Sequence, residues 1–253
     1  MNFFFGFKNT LLESRLTIPR FRNFGHLDKN YNLYYAEPIN NKWNYSKIET
    51  KLNDDDFYYI NKELIENNRI FFLAKKKEEL KFKQDKLSDI NKFTDTEPAF
   101  RSNLKIYLKN FGFSSYQSEY PSNMIKKKGS ILSPISLLTD KNAEKNILIF
   151  KNIYEQPLLN KFKLYFINIK EKKVLNKIEL LTNTSNFIEL DKDLLSPETY
   201  IFSENYLGIP IFLSIKNNHL SCEHTHPPHE YILSDDKYFK VSKLKNKINE
   251  IIN

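Results

Sequence analysis

Glycine, cysteine and arginine are scarce in this chain of 253 residues. With only 5 glycines the chain lacks glycine-rich phosphate-binding loops, and the Walker loop and the GxGxxG, GxSxG and HExxH motifs are absent. These absences argue against kinases and nucleotide-binding α/β enzymes. The single cysteine, Cys222, excludes an intrachain disulfide and a zinc site built from several cysteines.

The shortage of arginine affects how the basic charge is interpreted. The formal net charge is +8 and the isoelectric point is near 9.2, but nearly all of the positive charge comes from lysine. Arginine is the side chain best suited to bidentate contacts with phosphates and bases, so nucleic acid is the least favoured partner. We interpret the short basic runs Lys75–Lys77 and Lys126–Lys128 as solvated surfaces.

Long apolar runs are also missing. No segment approaches the roughly 18 consecutive apolar residues of a membrane-spanning helix. The short apolar start, Met1–Phe7, has no basic segment before it, which argues against a signal peptide. A single cysteine fits a reducing compartment. We therefore expect a soluble, cytoplasmic protein without a membrane span.

Apolar residues are nevertheless plentiful, with 40% hydrophobic and 15% aromatic residues, which is enough for a packed core. In residues 1–50 the aromatic residues follow no clear period, apart from a short predicted strand at Asn32–Glu37. We interpret residues 1–112 as an N-terminal arm and a helical region packed on the core. The arm suggests one alternative function, a non-catalytic structural or interaction module that docks on a partner or forms a homo-oligomer.

Three helices and one buried strand are predicted after this arm. The first helix begins at Asp54, because carboxylates favour a helix N-terminus, and it ends near Asn67. A buried strand at Arg69–Ala74 and a charged surface helix at Lys75–Phe93 follow. The third helix lies between Pro98 and Gly112. Its apolar residues recur at helical spacing: Phe100, Leu104, Tyr107, Leu108 and Phe111.

Residues 113–253 have a different composition, with short β-branched and aromatic runs at regular spacing. This pattern predicts a mainly antiparallel β-sandwich or jelly-roll-like core in a protein of the α+β class. A C-terminal helix is predicted over Tyr238–Ile252. The predicted strands cover residues 113–120, 147–154, 162–169, 174–182, 186–190, 200–206 and 209–224.

The most chemically concentrated segment is Ser221–Glu230. Four of the five histidines lie at positions 219, 224, 226 and 229. Asn217–Asn218 predicts a two-residue hairpin turn before them, because asparagine tolerates positive φ. In that register Lys216 pairs with His219 and Ile211 pairs with His224. The apolar residues of both strands then share one face, which favours the register.

This register gives the histidines a geometry. His224 lies on the apolar face, and His226 shares it if the strand continues, because residues i and i+2 point the same way. Two such imidazoles can chelate one metal ion, so a divalent metal is the candidate cofactor. The predicted metal ligands are His224, His226 and His229, and the predicted catalytic carboxylates are Glu223 and Glu230.

Two alternatives apply to this segment. The cluster can instead be a polar loop whose histidines hydrogen-bond to the backbone or to the glutamates, and we interpret Cys222 as a small core residue. The spacing His224-x-His226-x-x-x-Glu230 resembles the first metal motif of the cupins, a jelly-roll family. The resemblance covers residues 224–230 only, since Asn218 and Lys237 replace its flanking glycines and no histidine follows His229.

A second candidate site is a polar and aromatic pocket wall formed by Tyr116, Gln117 and Glu119, of the kind that binds sugars. The alternative is an amphipathic strand with its tyrosines on the core side. The combined hypothesis is a protein with a histidine-rich, metal-dependent site at a sheet end that binds or acts on a carbohydrate-like small molecule. Whether it is an enzyme, and which substrate it takes, is left open.

Overall fold

The computed structural model describes residues 2–19, 31–49, 57–75, 85–87, 102–126, 129–224 and 236–253. In these ranges it has 17 β-strands, every pair of which is antiparallel, and one α-helix. The strands of the first part are β1 (Asn2–Phe3), β2 (Leu12–Pro19), β3 (Tyr31–Ile39), β4 (Lys42–Lys47), β5 (Phe57–Ile60), β6 (Ile70–Lys75), β7 (Asn103–Leu108), β8 (Phe113–Gln117) and β9 (Tyr120–Pro121).

The second part contains the remaining strands and the helix. These are β10 (Ile131–Pro134), β11 (Lys145–Lys151), β12 (Lys161–Asn168), β13 (Lys173–Leu181), β14 (Ser185–Glu189), β15 (Thr199–Ser203), β16 (Ile209–Lys216), β17 (His219–His224) and α1 (Lys237–Ile252). The mainly antiparallel β class and the C-terminal helix are thus confirmed. The predicted strands at Asn32–Glu37 and Arg69–Ala74 are confirmed as β3 and β6.

Two of the predicted helices are wrong. Phe57–Ile60 and Asn103–Leu108 are strands, and each pairs with β2. Leu104 and Leu108 fit both structures, because residues four apart share a face in a strand as well as in a helix. Ile106, buried between them, fits only the alternation of a strand. The remaining predicted helix, Lys75–Phe93, falls mostly outside the described residues.

One of the sheets has apolar residues on both of its faces. Its strand order is β14-β11-β16-β17. Adjacent residues of β11 point to opposite faces. Leu148 and Phe150 therefore pack with Leu164 and Phe166 of the sheet β10-β15-β12-β13. Ile149 and its neighbours on the other face join the aromatic cluster of the first part of the chain.

The described N-terminal segment belongs to this second cluster. The side chains of Phe3, Phe4, Phe5 and Phe7 are completely buried. Phe4 and Phe71 exchange two backbone hydrogen bonds of 2.8 Å. These aromatic residues are thus part of the chain's own core. The predicted division between residues 112 and 113 stays a prediction, and the largest cluster includes residues from both sides of it.

Helix α1 covers the outer face of the sheet β10-β15-β12-β13. Ile248 of this helix is buried with Tyr165, Ile167 and Phe202 of the sheet. Lys245 donates a hydrogen bond of 2.7 Å to the carbonyl oxygen of Ser130. In the described ranges, no helix has the length and apolar character needed to cross a membrane.

Candidate functional site

The histidine hairpin has the predicted register. Asn217 and Asn218 have φ angles of 48° and 63°, which suit a two-residue turn between right-twisted strands. Six pairs follow, from Lys216 with His219 to Ile211 with His224. The local turn chemistry and the alternation of apolar residues were therefore sufficient to predict this hairpin.

The two faces of β17 differ in burial, whereas β16 is buried on both faces up to Ile215. Ile211, Leu213 and Ile215 are buried, and Cys222 packs against the same cluster. Burial raises the pKa of the Cys222 thiol to about 12, and the charge of Glu223 adds to the effect. Glu223 itself is exposed and pairs with Phe212. This carboxylate thus lies on the face opposite to Cys222.

His224 ends β17 and is the last described residue before position 236. His226, His229 and Glu230 lie outside the described residues, so the metal and catalytic assignments stay predictions. Within the described ranges, no three His, Cys, Asp or Glu side chains come together in a way that could hold a metal ion. His219, at the other end of the strand, is exposed.

The predicted pocket wall is divided between two faces of β8. Tyr116 is buried and pairs with Leu104, whereas Gln117 is exposed and pairs with Asn103. Burial raises the pKa of Tyr116, and nearby Cys222 and Glu119 raise it further. The structure therefore brings Tyr116 towards Cys222 and Glu119, because β8 lies beside β17. Gln117 is on the outer face of its sheet.

Lys151 is an unusual residue that the sequence reasoning missed. It ends β11, and its side chain is completely buried. Its Nζ donates a hydrogen bond of 2.7 Å to the carbonyl oxygen of Asn67 and lies 5.6 Å from the ring centre of Phe5. Burial lowers the pKa of Lys151 to about 7. The signal was present in the sequence as a lysine inside the predicted apolar strand 147–154.

Asn67 connects three segments around this lysine. Its carbonyl oxygen also accepts a hydrogen bond of 3.0 Å from the backbone N–H of Ser185. Its side chain makes two hydrogen bonds of 2.9 Å with the backbone of Lys8. The Lys151 ammonium therefore lies where the N-terminal segment, the turn before β6 and the start of β14 meet. We interpret this arrangement as a structural connection, since Lys151 has no exposed surface.

A cavity of about 280 Å³ lies between the β3–β4 turn and the segment before β12. Asn40 and Asn41 form that turn with φ angles of 52° and 57°. Both walls lack charged side chains. The lining residues are Pro38, Asn40, Asn41, Pro157, Leu158, Leu159 and Asn160.

The second wall of the cavity is held by hydrogen bonds. Thr182 Oγ1 donates to the carbonyl oxygen of Leu158 at 2.6 Å and accepts from the backbone N–H of Asn160 at 2.8 Å. Asn183 Nδ2 donates to the carbonyl oxygens of Gln156 and Leu158 at 2.7 and 3.0 Å. The Trp43 indole N–H donates to the carbonyl oxygen of Glu155 at 2.9 Å, which connects the two walls. The shape of the cavity is therefore fixed by the fold.

Comparison with known proteins adds no assignment. No family model, curated protein or solved structure matches this chain. Any function must therefore be inferred from the residues and their geometry.

Proposed function

We propose that this protein binds a small, neutral, hydroxylated molecule of the carbohydrate type in the cavity between Asn40–Asn41 and Pro157–Asn160. The observation that supports the proposal is the chemistry of the lining, which includes three asparagine residues and no charged residue. An amide both donates and accepts hydrogen bonds, which matches a hydroxyl group. The proline and leucine side chains supply apolar surface for the carbon skeleton of a sugar ring.

The lining favours binding over catalysis. None of the seven lining residues can serve as a general acid, a general base or a nucleophile. The volume is slightly below the roughly 300–1,000 Å³ typical of small-molecule sites, so we expect a ligand of about one ring. The fixed wall reduces the conformational entropy that binding would otherwise cost.

Titration with a panel of neutral monosaccharides, followed by ligand-observed NMR, tests this proposal. We expect Asn41→Asp and Leu159→Trp each to weaken binding about tenfold or more, because the first replaces an amide that donates hydrogen bonds by a carboxylate that only accepts them, and the second fills the cavity. Asn110→Asp is the matched control, since Asn110 also has a positive φ and lies in a turn outside the cavity. The proposal fails if no sugar binds, or if Leu159→Trp leaves the affinity unchanged.

We infer that residues 131–224 form an antiparallel sandwich, because the buried cluster around Leu148, Phe166 and Phe212 contains residues from the sheet β14-β11-β16-β17 and from the sheet β10-β15-β12-β13. Such a sandwich presents its loops and turns at its two ends, which is where the proposed ligand site lies.

A second candidate function is metal binding by the histidine hairpin. The confirmed register favours it, because it places His224 at the end of a strand opposite Ile211. A divalent metal bound by His224, His226 and His229 would supply a Lewis acid, with Glu230 as the general base. Glu223 is adjacent to His224 in β17 and therefore lies on the opposite face of the strand.

Metal analysis and thermal unfolding test this second candidate. We expect added zinc, iron or manganese to raise the Tm of the wild-type protein and to leave the His224→Ala and His226→Ala variants unaffected. His219→Ala is the matched control, because His219 is exposed at the far end of the same strand. The candidate is contradicted if the purified protein contains no metal and its Tm does not change when any of the three metals is added.

A further inference from the structure

The sheet β5-β2-β7-β8 has one apolar face in the core and one face towards solvent. The buried residues of β2 and β7 alternate with residues of the outer face, as the period of a strand requires. The outer face carries an unusual combination of aromatic and cationic side chains. The main ones are Arg15, Tyr59, Lys105, Tyr107 and Phe113.

The strand register brings these side chains together. Arg15 pairs with Lys105, and Tyr107 pairs with Phe113 on the next strand. The ring centres of Tyr107 and Phe113 are 5.5 Å apart. The guanidinium carbon of Arg15 lies 5.0 Å from the Tyr107 ring centre, and Lys105 Nζ lies 5.3 Å from that of Phe113. Two cations and two rings therefore form one continuous patch.

The aromatic rings of this patch are accessible. Phe113 is 55% exposed and Tyr59, on the far edge strand, is 47% exposed. Three strand spacings of about 4.8 Å separate the two edges, so the face is roughly 14 Å wide. Exposed aromatic residues grouped on one face are typical of a binding surface.

The face carries more positive than negative charge. Glu13 is the single acidic residue in the four strands, and it forms an ion pair of 3.0 Å with Lys62. In the described part of the chain, no carboxylate pairs with Arg15 or Lys105. The face therefore complements an anionic partner.

We propose that this face binds single-stranded nucleic acid. Unpaired bases stack on aromatic side chains and on arginine planes, and cations between the rings contact the phosphates. The open face of an antiparallel sheet suits splayed bases, whereas reading of a DNA duplex uses a helix or ribbon that enters a groove. The proposal is independent of the sugar site, and it reverses the expectation drawn from the scarcity of arginine.

Fluorescence anisotropy with labelled oligo(dT), oligo(U) and a duplex of the same length tests the proposal. We expect binding of the single strands at protein concentrations between about 1 and 100 µM, weaker binding of the duplex, and affinity that falls as salt is raised. Phe113→Ala should weaken binding about tenfold, because it removes a stacking surface. Arg15→Gln and Lys105→Gln should each reduce the slope of log affinity against log salt by about 0.7.

Matched controls separate the face from general effects of charge and hydrophobicity. Phe239→Ala removes a phenylalanine that is 68% exposed on α1. Lys177→Gln removes an exposed lysine that also lies over a ring, with Nζ 5.9 Å from the Tyr165 ring centre. We expect both control variants to bind the single strands with the affinity of the wild-type protein. Their melting curves should match the melting curve of Phe113→Ala.

Several results would overturn the proposal. One is the absence of salt-dependent binding to either single strand. Another is a loss of affinity in the two controls as large as in the variants of the face. If the protein self-associates and Phe113→Ala abolishes that association, the face binds a second copy of the chain instead. If the face binds a neutral glycan independently of salt, its ligand is a sugar instead.

Discussion

Replacing Phe4 with alanine is expected to lower the free energy of unfolding by about 3–5 kcal/mol. Phe4 is completely buried, and its backbone pairs with Phe71 in the core of the first part of the chain. Removing the ring leaves a cavity that the surrounding core residues can fill only in part. Urea denaturation followed by tryptophan fluorescence measures the loss, since Trp43 is buried in the same cluster.

Phe239→Ala is the control for this prediction. Phe239 is largely exposed on α1, so its removal should change the free energy of unfolding by no more than about 0.5 kcal/mol. If the two substitutions cost the same, the N-terminal segment is not part of the core in solution. The alternative function, with this segment docked on a partner, would then regain support.

The free energy of unfolding is expected to rise by about 2 kcal/mol between pH 7 and pH 9, and Lys151→Met should abolish this rise. Burial lowers the pKa of Lys151 from 10.5 to about 7 in the folded protein. Between these values the unfolded chain binds more protons than the folded chain, so stability increases with pH. Below pH 7 the lysine is charged in both states, and the full cost of burying the charge applies.

Comparison with Lys151→Met isolates this lysine, because all other titrating groups are the same in both proteins. The raised pKa values of Cys222, Tyr116 and Tyr120 act in the opposite direction, and of these only Cys222 ionises appreciably in the unfolded chain below pH 9, because an unperturbed thiol has a pKa of about 8.5 and a tyrosine of about 10. The groups in contact with the ammonium, the Asn67 carbonyl and the Phe5 ring, do not titrate.

Urea denaturation at four pH values measures this effect. Lys163→Met is the matched control, because Lys163 is an exposed strand residue whose replacement should leave the rise intact. A wild-type protein whose stability is flat from pH 7 to pH 9 would contradict the prediction. It would show that the Lys151 ammonium remains charged inside the folded protein and is well solvated or paired there.

Much of the second part of the chain could be predicted from the sequence. The strands between residues 145 and 224 and the Asn217–Asn218 hairpin follow from patterns within a few residues of one another. Such patterns are independent of the rest of the fold. The helix α1 was predictable for the same reason, from an apolar stripe at helical spacing.

In the first part of the chain, the predicted secondary structure is wrong where the spacing of apolar residues fits both a helix and a strand. Leu104 and Leu108 share a face in a helix and in a strand, so the spacing alone could not decide. The decision came from β2, which lies about 90 residues earlier and pairs with β7. The predicted pocket wall has a related problem, because its neighbouring residues Tyr116 and Gln117 point to opposite faces of β8.

The sequence by itself determined the turns, the strand alternation and the register of the histidine hairpin, because those depend on residues close together in the chain. Only the tertiary structure decided which distant segments meet. It buried Lys151 against Asn67, joined Asn41 and Asn160 across one cavity, and placed Arg15 beside Tyr107 and Phe113. These contacts depend on non-local strand pairing and packing, which no pattern within a single segment records.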